Sequence, residues 1–325
     1  MDSEEHARIA AAYRRFAETE ADGRSPLYRE LANSVAANPE LIAFLAGLPR
    51  EKRQPNLLFA SARCVFGTAA DWAEFRRGLI ANRDRVRDMM LRRSTQTNEP
   101  GRCAVLLPVL ARLPQPLALL EVGASAGLCL LLDRYVYDYG GHTLRPTGAA
   151  LEPPALPCEV NPAMPLPCEL PQVVWRAGLD LNPLDPSDPE DRAWLEALVW
   201  PEQEERLARL RAALVMAAAE KPRVVKGDLR QDLASLAAEA PKNATLVIFH
   251  TAVLAYVSPV NEREAFARSV GSLCDFWIAN EAPGVFPDLA ARTASPGPRG
   301  WFLLSVNGEP VAWADPHGAA IKWIG

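Results

Sequence analysis

The sequence predicts an α/β protein with a doubly wound, mostly parallel sheet, an antiparallel C-terminal hairpin and a helical N-terminal domain. Three observations lead there. From Leu117 onward, short apolar runs alternate with helical patterns, as βαβ units require. The first run, Leu117–Glu121, enters a turn of small residues, Gly123-Ala-Ser125-Ala-Gly127, whose backbone can bend tightly and approach a ligand closely. Ahead of Leu117 the patterns are helical, so no parallel strands precede that turn.

Composition narrows the field. The chain has 325 residues, 49% hydrophobic and 23% charged, the profile of a globular protein able to hold one large domain or two smaller ones. We read residues 1–94 as a helical domain and 95–325 as the sheet domain, with a proline-rich insertion at 141–172. A formal net charge of −5 argues against gripping nucleic acid through its phosphates. No apolar run approaches the ~20 residues of a membrane span, and the opening Met-Asp-Ser-Glu-Glu-His is too polar for a signal peptide; the expected location is cytoplasmic. Six cysteines form no C-x-x-C pair and have no histidine at zinc-ligand spacing, so no metal is expected.

In chain order, Glu4–Glu20 carries Ile9, Tyr13 and Phe16 at helical spacing. Ser25-Pro26 and Asn38-Pro39 each read as an N-cap followed by proline at the first helical position, and Gln54-Pro55 opens a further helix. A charged helix is expected from Ala70 to Arg92, with Trp72, Phe75, Leu79 and Val86 on its apolar side. In the polar segment that follows, Thr97, Asn98, Glu99 and Arg102 have two readings. Either Thr97 or Asn98 caps the next helix, or the segment forms a lid or wall over a ligand. Past Gly127 an apolar helix is expected to end near Tyr139-Gly140-Gly141, and the prolines after it exclude helix interior and central strand. Val173–Pro183 (a strand ending in a polar turn), Arg223–Leu229 (ending in an acid), Ala244–His250 and Asp275–Glu281 read as strands, with helices starting at Asp188-Pro189, after Trp200-Pro201 and at Glu262. Asn307-Gly308 and Pro316-His317-Gly318 mark hairpin turns in the tail.

The strands end in polar residues, Glu121, Asp180, Asp228, His250 and Glu281, and in such sheets ligands bind beyond those ends. The turn itself has two chemical readings. Gly123-Ala-Ser125-Ala-Gly127 spells Gly-x-Ser-x-Gly, the nucleophile elbow of serine hydrolases, with His250 or His317 as base and Asp228 or Asp315 to orient it. That elbow should follow several strands and an oxyanion loop, which the helical N-terminal part does not provide. A turn cradling a nucleotide-like cofactor needs only the strand that enters it, with Asp180 to accept ribose hydroxyls and Asp228 near the base. Leu128 stands where a dinucleotide fingerprint has its third glycine, which disfavours NAD.

Leu-Leu-Glu121-Val-Gly123-Ala-Ser125-Ala-Gly127 resembles the first motif of class I S-adenosylmethionine-dependent methyltransferases, and Gly227-Asp228-Leu229 resembles their acid beyond the third strand. The whole chain, notably Gln54–Phe59, Gln96–Glu99 and Gly178–Pro183, is similar to a bacterial family of unknown function thought to share that fold. The resemblance implies S-adenosylmethionine as cofactor, held by Glu121, Gly123, Ser125, Gly127, Asp180, Asn182, Asp228, Leu229 and His250, and methyl transfer to a small-molecule acceptor. Two departures stand out. Ser125 replaces the middle glycine, which is tolerable if its φ is negative but narrows the space beside the methionine moiety, and Asp180 lies 53 residues after Gly127 where about twenty is usual, so the insertion must loop out.

His250 is the candidate catalytic base if the acceptor must lose a proton; the alternative is a histidine bonded to a neighbouring carbonyl. Glu121 either shapes the turn or touches ligand, and Asp228 either holds cofactor or caps the helix after it. A non-catalytic cofactor-binding or scaffold protein is the remaining alternative, since fold does not fix function.

Overall fold

The computed structural model describes residues 2–148 and 151–324. They form two compact units, Met1–Thr97 with Asp188–Ala208, and Asn98–Ser187 with Arg209–Gly325. The segment Asp188–Ala208, which the sequence places with the sheet, thus belongs to the helical unit.

The helical unit holds helices Asp2–Phe16, Pro26–Ala36, Pro39–Ala46, Pro55–Phe66, Trp72–Ala81, Arg83–Arg92 and Pro189–Leu198. Ser25 and Asn38 cap the second and third as predicted, accepting from the amides of Tyr28 at 3.0 Å and Leu41 at 3.1 Å. The single helix expected from Ala70 to Arg92 is instead two. Asn82 leaves helical geometry (φ −123°, ψ 25°), and its amide side chain donates to the Gly78 carbonyl at 2.9 Å, competing with the backbone. The core is aromatic: Phe59 meets Tyr28 at 4.7 Å and Phe75 at 5.7 Å between ring centroids, and Trp200 meets Tyr28 at 5.6 Å. Trp200 comes from the Asp188–Ala208 segment, which also buries Trp194 and Leu195.

The second unit is built on strands β1 (Leu117–Val122), β2 (Val136–Asp138), β3 (Thr143–Leu144), β4 (Ala155–Pro157), β5 (Glu159–Val160), β6 (Val173–Asp180), β7 (Val224–Lys226), β8 (Thr245–Thr251), β9 (Phe276–Glu281), β10 (Phe302–Val306), β11 (Glu309–Ala314) and β12 (Ala320–Trp323). Nine of them form one sheet in the order β5-β12-β11-β10-β9-β8-β1-β6-β7. It is parallel from β7 to β9, and antiparallel from β9 through β12. The chain leaves β1 for β6 on one side and later returns to β8 on the other, so the topological switch point lies between β1 and β8. The proline-rich insertion is looped out as a small sheet, β3-β2-β4, and the edge strand β5. The Asn307-Gly308 turn has φ of 50° and 77°, as a tight hairpin requires.

One face of the large sheet is covered by helices Leu233–Ala237 and Val260–Val270, which bury Leu236, Phe266 and Val270 against Leu120, Ile248 and Trp277. On the other face lies the segment after Gly127. The helix expected there to Tyr139 is only a 3-10 stretch, Leu128–Arg134, interrupted at Leu131. Its carbonyls are satisfied from outside: Arg176 of β6 donates to Leu130 O at 2.8 Å, Tyr135 Oη to Leu128 O at 2.8 Å, and Tyr137 Oη to Leu132 O. Among the described residues no helix is long and apolar enough to cross a membrane.

Candidate functional site

At the switch point the turn after β1 adopts left-handed geometry at three positions, Gly123 (φ 72°), Ser125 (φ 50°) and Gly127 (φ 71°). Ser125 lacks the negative φ that would let serine replace the glycine without strain. Its neighbours account for the conformation. Asp180 Oδ2 accepts from Ser125 N at 2.8 Å and Asn98 Oδ1 from Ala126 N at 3.0 Å, while Asn98 Nδ2 donates to Ser125 Oγ at 2.7 Å. Gly123 N and Gly127 N donate to Leu179 O at 2.8 Å and Ala124 O at 2.7 Å, and Ala124 N reaches Leu179 O at 3.4 Å. Every amide of the turn therefore has a partner within the protein. Glycine at 123 is required by packing: a Cβ there would lie 2.4 Å from the Val253 side chain.

The polar segment before this turn braces it and does not supply the helix cap that its sequence suggests. The helix Arg102–Leu110 starts at Gly101 without a side-chain cap. Glu99, 1% exposed, accepts from Gly101 N at 3.0 Å, and Arg102 donates to Pro316 O at 2.9 Å and to Thr251 O at 3.1 Å. Asn98 is bound to the turn, and Thr97 alone of the four is exposed.

The strand-end residues gather on two faces of the sheet, Glu121 with Asp180 and His250 with Glu281. Pairing sets Glu121 beside Phe249 and Val122 beside His250, so Glu121 and His250 point to opposite faces. Asp180 shares the face of Glu121, because Glu121 pairs with Gly178 two residues before it. Glu121 is 4% exposed with Oε2 unpartnered, and burial pushes its carboxyl well above the usual carboxylate range. Asp228 is taken by Arg230, whose guanidinium holds its carboxyl below the ordinary range and whose amide donates to it at 2.9 Å. It caps no helix, since the one that follows begins at Leu233. Leu229 packs against the core, and Asn182 N donates to Asp180 Oδ1 at 2.7 Å.

His250 stands near the end of β8 with no surface open to a ligand. It is fully buried; Nδ1 lies 2.7 Å from Glu281 Oε1, and the indole N–H of Trp277 donates to Nε2 at 3.0 Å. An indole only donates, so Nε2 accepts and Nδ1 carries the proton. Glu281 Oε1 also accepts from Val253 N at 2.8 Å and Leu254 N at 3.0 Å, which fixes the loop after β8. There Ala252 has φ 57°, a second strained non-glycine beside the switch point. Trp277 is core, as its residue type leads one to expect, but its bond to His250 was not foreseen, although it shares the strand parity of Glu281. For the elbow reading, the base His250 is engaged elsewhere, and Ala126 N, which should serve an oxyanion, is bound to Asn98.

Beside the turn opens a cleft of about 520 Å³ lined by Ala126, Pro183, Leu184, Asp185, Lys221 and Val224. All six cysteines are free thiols, and among the described residues no three His, Cys, Asp or Glu side chains gather as a metal site.

These features define an α/β protein with a doubly wound sheet, a glycine turn at its switch point and a carboxylate, Asp180, beside that turn. The chain belongs to the family described as an uncharacterized protein conserved in bacteria (DUF2332), whose model matches residues 10–323. Comparison with curated proteins and with solved structures gives no match.

Proposed function

We propose that the sheet unit binds S-adenosylmethionine beyond the carboxyl ends of β1 and β6 and transfers its methyl group to a small-molecule acceptor. The observation that carries this reading is Asp180. It is half-buried at the end of β6, beside the turn, and its two oxygens each accept one backbone N–H. A carboxylate oxygen has two lone pairs, so both retain one for a ribose hydroxyl. These residues fit the nucleoside end of the cofactor. The turn does not fit the amino-acid end, because its amides are already satisfied and Val253 occupies the approach to Gly123.

When bound, the sulfonium supplies an activated methyl, and the chain's share of the work is to orient donor and acceptor and exclude water. His250 is engaged on both nitrogens, so it takes no proton from the acceptor. That favours acceptors that are nucleophilic without a histidine base.

Calorimetric titration with S-adenosylhomocysteine tests the reading. Micromolar binding that Asp180→Ala abolishes is the expected result. Binding indifferent to that substitution would move the ribose contact elsewhere, and absence of binding to folded protein would overturn the proposal. The fully satisfied turn favours a second reading, a cofactor-binding protein without turnover. Its mark would be binding of S-adenosylmethionine with no methyl loss.

A further inference from the structure

Beyond the carboxyl end of β9 a separate cleft of about 330 Å³ is lined by Ala282, Pro283, Ala290, Pro296, Trp301 and Trp313. Trp313, on β11, forms its floor together with the backbone of Gly297, which lies so close that a Cβ there would stand 2.2 Å from the indole ring. Trp313 is 3% exposed, and its Nε1–H, a group that can only donate, is buried without an acceptor. Such a donor is costly to leave unpaired, and Trp313 is a lining residue of the cleft, so an acceptor atom entering there is the partner it lacks. Arg299 lines the same cleft, is exposed and has no partner among the described residues. No acidic side chain is among the lining residues, and prolines, which lack an N–H, form much of the wall.

We propose that this cleft binds a small aryl carboxylate, its ring against Trp301 and the prolines, one carboxylate oxygen accepting from Trp313 Nε1 and the charge facing Arg299. An apolar wall with a few convergent donors of one sign suits such a ligand and disfavours amines and neutral hydrocarbons. The site is independent of the cofactor reading.

The test uses the full chain without any S-adenosyl compound, so its failure leaves that reading standing. Phenylacetate and phenylacetamide are titrated while the Trp313 indole N–H resonance and the heat of binding are followed. The acid should shift that resonance and bind more tightly than the amide. Trp313→Phe keeps a ring but loses the donor and should weaken the acid about ten-fold. Arg299→Ala, at an exposed position that leaves the fold intact, should weaken it about three-fold and erase the preference for acid over amide. An unmoved Trp313 resonance at millimolar phenylacetate, or parent-like binding by Arg299→Ala with the preference retained, would overturn the proposal.

Discussion

Two carboxylates tie down the loops that flank the switch point, Asp180 for the turn after β1 and Glu281 for the loop after β8. Asp180 accepts from Ser125 N and Asn182 N, one on each oxygen, and stays half-buried. Glu281 gathers Val253 N, Leu254 N and His250 Nδ1 on one oxygen, is 2% exposed, and leaves its other oxygen without a partner. Both occupy the strand end where a ligand-binding acid belongs. Position nominates such a residue; burial decides whether a ligand or only the protein can use it.

The sharpest way to break this comparison is to remove each acid in turn. Glu281→Ala orphans three donors in a dry site, where each unpaired group costs about 1–3 kcal/mol, so urea unfolding should show a loss of at least about 3 kcal/mol. Asp180→Ala exposes its donors to water, and the loss should stay near about 1 kcal/mol. Equal losses at the two sites would show that burial is not what separates them.

Glu121 offers a second test, because it shares the face of Asp180 but the burial of Glu281. Its carboxyl is raised by burial first, then by the neighbouring Cys129 and Asp180. A raised acid is neutral in the fold and ionised in the unfolded chain above about 4.5. Its contribution is therefore fully present below 4.5 and is lost as pH rises toward the folded value, at up to about 1.4 kcal/mol per pH unit. Glu121→Gln should flatten this slope between pH 5 and 8 and gain on the parent at the alkaline end, in unfolding measured at each pH; about 4.5 is where the gain begins. Identical slopes would mean that Glu121 is ionised in the fold.

Much of the fold was legible because it depends on local pattern. The apolar runs at Leu117 and Thr245 are buried strands, Ser25-Pro26 and Asn38-Pro39 are caps, and Asn307-Gly308 is a hairpin turn. What failed depends on side-chain bonds to the backbone, some local, as Asn82 to Gly78, and some distant. The segment after Gly127 loses its helix to carbonyl bonds from Arg176 and two tyrosines. At the site, Asp180 could be placed at a strand end despite the insertion, yet its bond to Ser125 N could not be foreseen. His250 and Glu121 both stand at strand ends, where a ligand would bind, and only the register puts them on opposite faces. Trp277 and Glu281 are four apart in one strand, so their shared face was readable once the strand was recognised.

The smallest expected effect concerns the strain that Asp180 holds in place. Ser125 at φ 50° costs roughly 1 kcal/mol relative to glycine, which adopts that conformation freely. Ser125→Ala loses the acceptor for Asn98 Nδ2 and keeps the strain; Ser125→Gly loses the same acceptor but releases the strain. The glycine variant should therefore be about 1 kcal/mol more stable than the alanine variant, and close to the parent. The Asp180 carboxylate fixes the Ser125 amide, so in an Asp180→Ala background residue 125 can relax to a negative φ and the advantage of glycine over alanine should shrink. An advantage that survives undiminished would mean that Asn98, through Ala126 N, holds the turn without the acid, and Asp180 would then be free to serve a ligand alone.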